Sequence, residues 1–256
     1  MQTNGPSLAG VRAVVTGSSS GIGRAIAIEL AAAGAVVGLH AHRTFAEAER
    51  LAAELKAKGS EVVAFRADLR EPKTCARLAA TAFEALGRVD AWVNNAGADI
   101  LTGGRHALSF EEKLEALLDV DVRATMILTR EAGRRMRDAG GGCVLNIGWD
   151  QALTGMEGDS GELFAAAKGA VMSFTRSAAL SLAPRVRVNC IAPGWIRTAW
   201  GSGASPAWQE RVLRETPLGR WGAPEDVARL ARFLVSKEAA FVTGQVLCVN
   251  GGAVRC

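Results

Sequence analysis

A short set of side chains in this sequence has the types and neighbours that chemistry needs. Asp150 follows Trp149, Asp121 closes Leu118-Asp119-Val120-Asp121, and Lys168 closes Phe164-Ala165-Ala166-Ala167-Lys168. A carboxyl desolvated by aromatic neighbours has a raised pKa and gives up a proton near neutrality, which makes Asp150 a candidate acid or charge stabiliser. The alternative for Asp150 is a solvated loop carboxylate or a backbone cap. For Asp121 the alternative to a chemical role is a helix acid paired with Arg123, Arg130 or Lys168. The five cysteines, Cys75, Cys143, Cys190, Cys248 and Cys256, are scattered without CxxC pairs or histidine partners, which argues for reduced thiols in strands and against a metal site.

Near the start of the chain runs Thr16-Gly17-Ser18-Ser19-Ser20-Gly21-Ile22-Gly23. Glycines there let the backbone turn tightly and approach a pyrophosphate, while the following helix presents free N–H groups and its positive dipole end. A strand before this loop and a helix after it are the context that a dinucleotide-binding turn requires.

The elements that position these residues alternate. Strands are expected at Arg12–Val15, Ala35–His40, Glu61–Arg66, Ala91–Asn94, Cys143–Ile147, Arg187–Ile191 and Val246–Val249. Helices are expected near Gly23–Ala33, Phe45–Lys58, Pro72–Leu86, Phe110–Ala139, Leu163–Leu182 and Pro224–Ser236. Several strands are apolar on both faces, as a sheet covered on each side by helices demands. The pattern predicts an α/β Rossmann fold over residues 1–256: one domain with a doubly wound parallel sheet of about seven strands. With 49% apolar residues a large core is available, no apolar run is long enough to span a bilayer, and residues Met1 to Gly10 show no export signal. A net charge of +4 with arginines spread along helices describes solvated faces, not a nucleic-acid surface. The expectation is a cytoplasmic protein acting on a small molecule, with neither membrane nor nucleic acid as partner.

Further segments carry a resemblance. Asp68-Leu69 follows the third strand, Asn94-Asn95-Ala96-Gly97 the fourth and Pro193-Gly194-Trp195-Ile196-Arg197-Thr198 the sixth; Gly244-Gln245 and Asn250-Gly251-Gly252 frame the last. With the glycine loop, these motifs resemble the short-chain dehydrogenase/reductase family over essentially the whole chain, and its 3-oxoacyl-ACP reductases in particular. The resemblance implies that Gly17, Ser19, Ser20, Gly21, Ile22 and Gly23 hold the cofactor phosphates and that Asp68 and Leu69 lie at the adenine. It also implies that Asn95, Ala96 and Gly97 line the cofactor and that Pro193, Gly194, Ile196 and Thr198 meet its nicotinamide end. A carboxylate at the end of the second strand favours NAD through the ribose hydroxyls. Here that region reads His40-Ala41-His42-Arg43-Thr44, so Arg43 and His42 are placed to pair with a 2′-phosphate, which favours NADP(H) over NAD(H). The alternative is that Arg43 faces solvent at a helix start.

The same resemblance implies a catalytic set of Asn, Ser, Tyr and Lys, in which Tyr protonates the carbonyl oxygen, Ser holds it and Lys binds the nicotinamide ribose. This chain contains no tyrosine, and Phe164 stands at the matching position. Counting back from it for the serine reaches Gln151, and aligning the strand end Asn146-Ile147-Gly148 reaches Trp149; neither is a serine. Asp121 stands for the asparagine, and Lys168 alone is retained. Losing a general acid typically costs about 10²–10⁴-fold, so conventional ketone reduction is not expected. Three readings remain. One is an oxidoreductase with another acid, or with an acceptor such as an iminium ion or activated C=C or C=O. Another is a silent cofactor-binding subunit of a homotetramer, a homodimer or a hetero-oligomer with an active relative. The third is non-redox proton transfer. Asp159-Ser160-x-Glu162 resembles a helix cap. Trp195, Trp200 and Trp208 fall in an expected substrate lid near 195–215, where with Trp149 they line an apolar pocket or simply pack.

Overall fold

In the computed structural model, which describes residues 5–102 and 104–255, seven short β-rich runs lie side by side. These are β1 (Arg12–Thr16), β2 (Val36–Ala41), β3 (Val62–Arg66), β4 (Ala91–Asn94), β5 (Gly142–Ile147), β6 (Val186–Pro193) and β7 (Val246–Val249). All pairings are parallel, in the order β3-β2-β1-β4-β5-β6-β7. Chain direction across the sheet reverses between β1 and β4, and a crevice opens there at the carboxyl ends of the strands. The glycine loop and Asn95 both sit at that point.

Period-two alternation sends neighbouring residues to opposite layers. Val15, Leu39 and Leu145 face α1 (Gly21–Ala32), α2 (Phe45–Ala57) and α9 (Pro224–Val235). Val14, Trp92 and Val144 face α3 (Pro72–Leu86), α5 (Thr125–Asp138) and α6 (Asp159–Leu182). The remaining helices are α4 (Phe110–Leu117), α7 (Ala199–Gly203) and α8 (Pro206–Glu215). No helix among the described residues is long and apolar enough to cross a membrane.

Two expectations need correction. The helix expected over Phe110–Ala139 is interrupted by a π-helical stretch at Leu118–Ala124, whose wider turn brings Asp121 to the buried side. Apolar periodicity continues through the stretch, so it left no break in the pattern. The Asp159-Ser160-x-Glu162 cap is absent: α6 begins at Asp159, and Gly158 precedes it with φ +83 and no side-chain cap. Of the cysteines, Cys143 and Cys190 lie buried in strands and Cys248 half-buried in β7; Cys75 is buried in α3, and Cys256 lies outside the described residues.

A buried polar chain sets the register of α6 against the sheet. Trp92 Nε1 donates to Asn94 Oδ1 (2.8 Å), and Asn94 Nδ2 donates to Thr129 Oγ1 and Asn146 Oδ1 (both 2.9 Å). Asn146 Nδ2 donates to Thr175 Oγ1 (2.9 Å), which donates to the Val171 carbonyl (2.8 Å). Every member has a partner, so the network rigidifies the layer from which Lys168 projects. N146L strands the polar atoms of Asn94, Thr129 and Thr175, and urea unfolding should show a loss of about 3 kcal/mol at unchanged m-value; T175V should lose about 1–2 kcal/mol.

Candidate active site

The cofactor half of the site is built around backbone that tolerates no Cβ. A Cβ on Gly17 would lie 2.8 Å from Ala96 Cα, and one on Gly23 would lie 2.2 Å from the Gly17 carbonyl oxygen and 2.3 Å from Asn95 Nδ2. Asn95 Nδ2 donates to the Thr16 and Gly17 carbonyls (3.0 Å each), and the Asn95 and Ala96 amides donate to Thr16 Oγ1 (3.0 Å each). Asn95 therefore ties the loop to the end of β4. Ser20 precedes α1 without a side-chain cap, so first-turn N–H groups stay free for an anion. Across the crevice, Thr198 Cγ2 lies 3.5 Å from the Cβ position of Gly21, while the Gly194 amide donates to Val249 and Ile196 bridges to Gly222. The glycine loop and the free first turn of α1 fit a dinucleotide pyrophosphate.

At the far end, Ser19 Oγ and Thr44 Oγ1 share a hydrogen bond of 2.7 Å, His42 Nδ1 lies 3.7 Å from Asp68 Oδ1, and Arg43 is exposed. Leu69 is buried behind them. Arg70, which sequence reasoning did not single out, grips Asp68 with Nε and Nη2 (2.5 Å to Oδ2). Its hydrogen bonding lowers the Asp68 pKa to about 2, against the effect of burial.

In the reacting half, the structure brings Lys168, Asp121, Phe164 and Trp149 together. Lys168 Nζ lies 2.8 Å from Asp121 Oδ1, donates to the Ile147 carbonyl (3.1 Å) and stands 5.3 Å from the Phe164 ring centre. Both members of this ion pair are buried. Asp121 Oδ2 accepts from the Ala98 amide at 2.7 Å, and a Cβ on Gly97 would fall 2.8 Å from Oδ1. Of the partners expected for Asp121, Lys168 is the one it has; Arg123 pairs with Asp119. An ammonium carries three N–H groups, so one remains on Lys168 for a ribose hydroxyl. Trp149 meets Phe164 edge-on, ring centres 5.2 Å apart at 73°.

Asp150 is neither solvated nor a neighbour of Lys168. It is wholly buried, with Asn250 Nδ2 donating to Oδ2 at 3.0 Å. Burial pushes its pKa up to about 6, against the Asn250 hydrogen bond, and Glu215 raises it further. Neither Asn250 nor Glu215 is near Asp150 in sequence, so no local signal pointed to them. The tryptophans of residues 195–208 pack on one another: Trp195 lies 6.3 Å from Trp149, 6.0 Å from Trp200 and 5.4 Å from Trp208. Arg211 of α8 binds Glu157 (2.7 Å) and Glu215 (2.6 Å) and stacks on Trp208, tying α8 to the loop before α6.

Fold and site together define a nicotinamide-dinucleotide protein of the Rossmann class. The family profile described as Enoyl-(Acyl carrier protein) reductase matches residues 17–254. Nodulation protein G of Rhizobium sp. (strain N33) is 38% identical over 247 residues, covering 96% of this chain and 97% of that protein. The 3-oxoacyl-[acyl-carrier-protein] reductase of Synechocystis sp. is 36% identical over 248 residues, covering 94% and 96%. Among solved structures, a 7α-hydroxysteroid dehydrogenase complexed with NADH and 7-oxo glycochenodeoxycholic acid superposes with a TM-score of 0.87 at 33% identity, covering 98% and 96%. A short-chain dehydrogenase from Burkholderia cenocepacia J2315 in complex with NADP gives 0.87 at 32%, covering 96% and 98%. The chain belongs to the short-chain dehydrogenase/reductase family.

The raised pKa of Asp150 has a testable sign. An acid whose folded pKa of about 6 exceeds its ordinary 3.8 binds its proton more tightly when folded, so its contribution to stability is full below pH 4 and lost as pH rises through 6. D150N removes that dependence: relative to the unaltered protein it should gain on the order of 2 kcal/mol in unfolding free energy between pH 4 and pH 8. Parallel pH profiles for the two proteins would refute the assignment.

Proposed function

We propose that this chain is an NADP(H)-dependent oxidoreductase whose acceptor takes hydride without needing a proton from positions 149 or 164. The carrying observation is the buried Lys168–Asp121 ion pair. Hydride addition to a ketone builds negative charge on oxygen, and a free lysine cation beside the site would favour it. Here that cation is matched by a carboxylate, and Trp149 and Phe164 offer no hydroxyl donor. Hydride transfer to an iminium carbon neutralises positive charge instead and leaves an amine, with no proton to supply. An iminium compound is therefore the preferred acceptor class; a neutral imine or an activated C=C comes next, and each also takes up one proton after hydride addition. The aromatic wall of Trp149, Phe164 and Trp195 suits an apolar or aromatic molecule.

When bound, the cofactor supplies the hydride. Gly17 to Gly23 hold its pyrophosphate, Lys168 its nicotinamide ribose, and Pro193 to Thr198 its nicotinamide end. His42 and Arg43 follow β2, which ends without a carboxylate, and this supports NADP(H) over NAD(H). Asp150, protonated below about pH 6, is the proton source of the loop for neutral acceptors, and it is reached when the lid of residues 195–215 is displaced. The whole chain acts as one domain in the cytoplasm, on a small molecule, and assembles as a homodimer or homotetramer; exposed Leu180, Leu218 and Phe241 provide apolar surface for that contact.

Trp149 favours a second reading. Aligned on the strand end, Trp149 stands for the family's serine, and its indole leans on Phe164, which suits a subunit that binds cofactor without turnover, alone or beside an active relative. The two separate in one experiment. NADPH should bind at least tenfold tighter than NADH by nicotinamide fluorescence, and 4-deuterated NADPH should deliver deuterium to a cyclic iminium compound faster than to a ketone. D121N should slow iminium reduction by about 10²-fold, and W149S/F164Y should gain ketone reduction. Binding without deuterium transfer to any acceptor selects the silent subunit; ketones as the best acceptors, or no binding of either nucleotide, sink the proposal.

A further inference from the structure

Beneath the glycine loop lies a histidine that the chemistry above does not use. His40 sits near the end of β2, opposite Thr16 of β1 and Phe65 of β3, and is 2% exposed. Its Nε2 stands 3.1 Å from the Ala67 carbonyl oxygen, and its Nδ1 stands 3.4 Å from the Gly17 amide nitrogen. A carbonyl oxygen only accepts and a peptide N–H only donates. Both contacts are therefore met by one tautomer alone, with hydrogen on Nε2 and a lone pair on Nδ1. An imidazolium would turn a second N–H against the Gly17 amide. Burial agrees with a neutral ring: it lowers the His40 pKa to about 4, against the Ala67 hydrogen bond, with His42 adding to the lowering.

The main chain of the same residue grips the same loop. The His40 amide donates to Ser18 Oγ (3.0 Å), and the Ser18 amide donates to the His40 carbonyl (3.0 Å). Gly17 opens the turn that fits the pyrophosphate, whereas Ala67 immediately precedes Asp68 and Leu69 on the adenine side. The ring thus spans the two backbone segments between which an adenosine diphosphate must fit.

We infer that His40 is a positioning residue: as a neutral ring it fixes the spacing between the phosphate turn and the adenine-side segment, and so sets affinity for the adenosine half of the dinucleotide. Contact with the nicotinamide or the acceptor plays no part in this role. The inference rests on dinucleotide binding and is independent of which acceptor is reduced; loss of turnover leaves it standing.

The tests use the full chain and two probes, ADP-ribose and nicotinamide mononucleotide. Two-bond ¹⁵N–¹H correlation spectra of the unaltered protein should show His40 as the Nε2–H tautomer. H40Q keeps a donor and an acceptor but on a flexible chain in place of the ring that fixes their spacing, so calorimetry should find ADP-ribose binding about fivefold weaker with nicotinamide mononucleotide unchanged. H40L removes both bonds and should weaken ADP-ribose further, again selectively. An Nδ1–H tautomer, unchanged ADP-ribose affinity in both variants, or equal loss for both probes overturns the inference. Should the variants fail to fold, the tautomer of the unaltered protein decides.

Discussion

The Lys168–Asp121 pair is the constraint around which the reacting half of this molecule is arranged. Two charges removed from water are tolerated only where geometry is good and the remaining polar atoms find partners. Asp121 meets this condition through the Ala98 amide, and Lys168 through the Ile147 carbonyl. Several features follow from keeping the pair together. The π-helical stretch turns Asp121 inward, Gly97 leaves room for its Oδ1, and the Asn146–Thr175 bond holds α6 at the height that delivers Lys168. Removing one member alone would strand a buried charge, at a cost of about 3–5 kcal/mol. The pair is therefore structural and electrostatic at once, and its net neutrality separates this site from one built around an unmatched lysine.

The cofactor half depends on a different constraint, the close approach of backbone to backbone. Gly17 and Gly23 are required because the segments they touch are nearer than any Cβ allows. Asn95 and His40 hold those segments from opposite sides, one from the end of β4 and the other from β2. The crevice is thereby pre-formed, and its width is fixed by side chains that do not themselves need to touch a ligand.

What was legible in the sequence follows from how local each cause is. The glycine turn, the parallel sheet and the Phe164-x-x-x-Lys168 segment could be read directly, because a missing Cβ, an apolar run and a four-residue spacing act over a few residues. Asp121 was legible as a residue but not as a pair, since Arg123, Arg130 and Lys168 were equal on paper and only packing of α6 against the π-helical stretch chooses among them. Desolvation of Asp150 was one of two alternatives open in the sequence, and its partner was not legible because Asn250 lies 100 residues away. His40 gave only the weak signal of a polar residue in an apolar strand, and its two hydrogen-bond partners lie 23 and 27 residues away. The absent Asp159 cap shows the reverse error: a pattern of suitable residues without the backbone geometry that would use it.

Trp149 joins the aromatic side chains near Lys168. Phe164 and Trp195 each meet its indole edge-on, so the wall there is aromatic. The next residue, Asp150, opens a 3-10 turn and is buried beside Gly194 and Asn250. Desolvated there, its carboxyl holds a proton up to about pH 6. Around Lys168, Asp121 thus supplies a matching charge while Trp149 and Phe164 supply apolar surface, an arrangement that gives little stabilisation to an oxyanion.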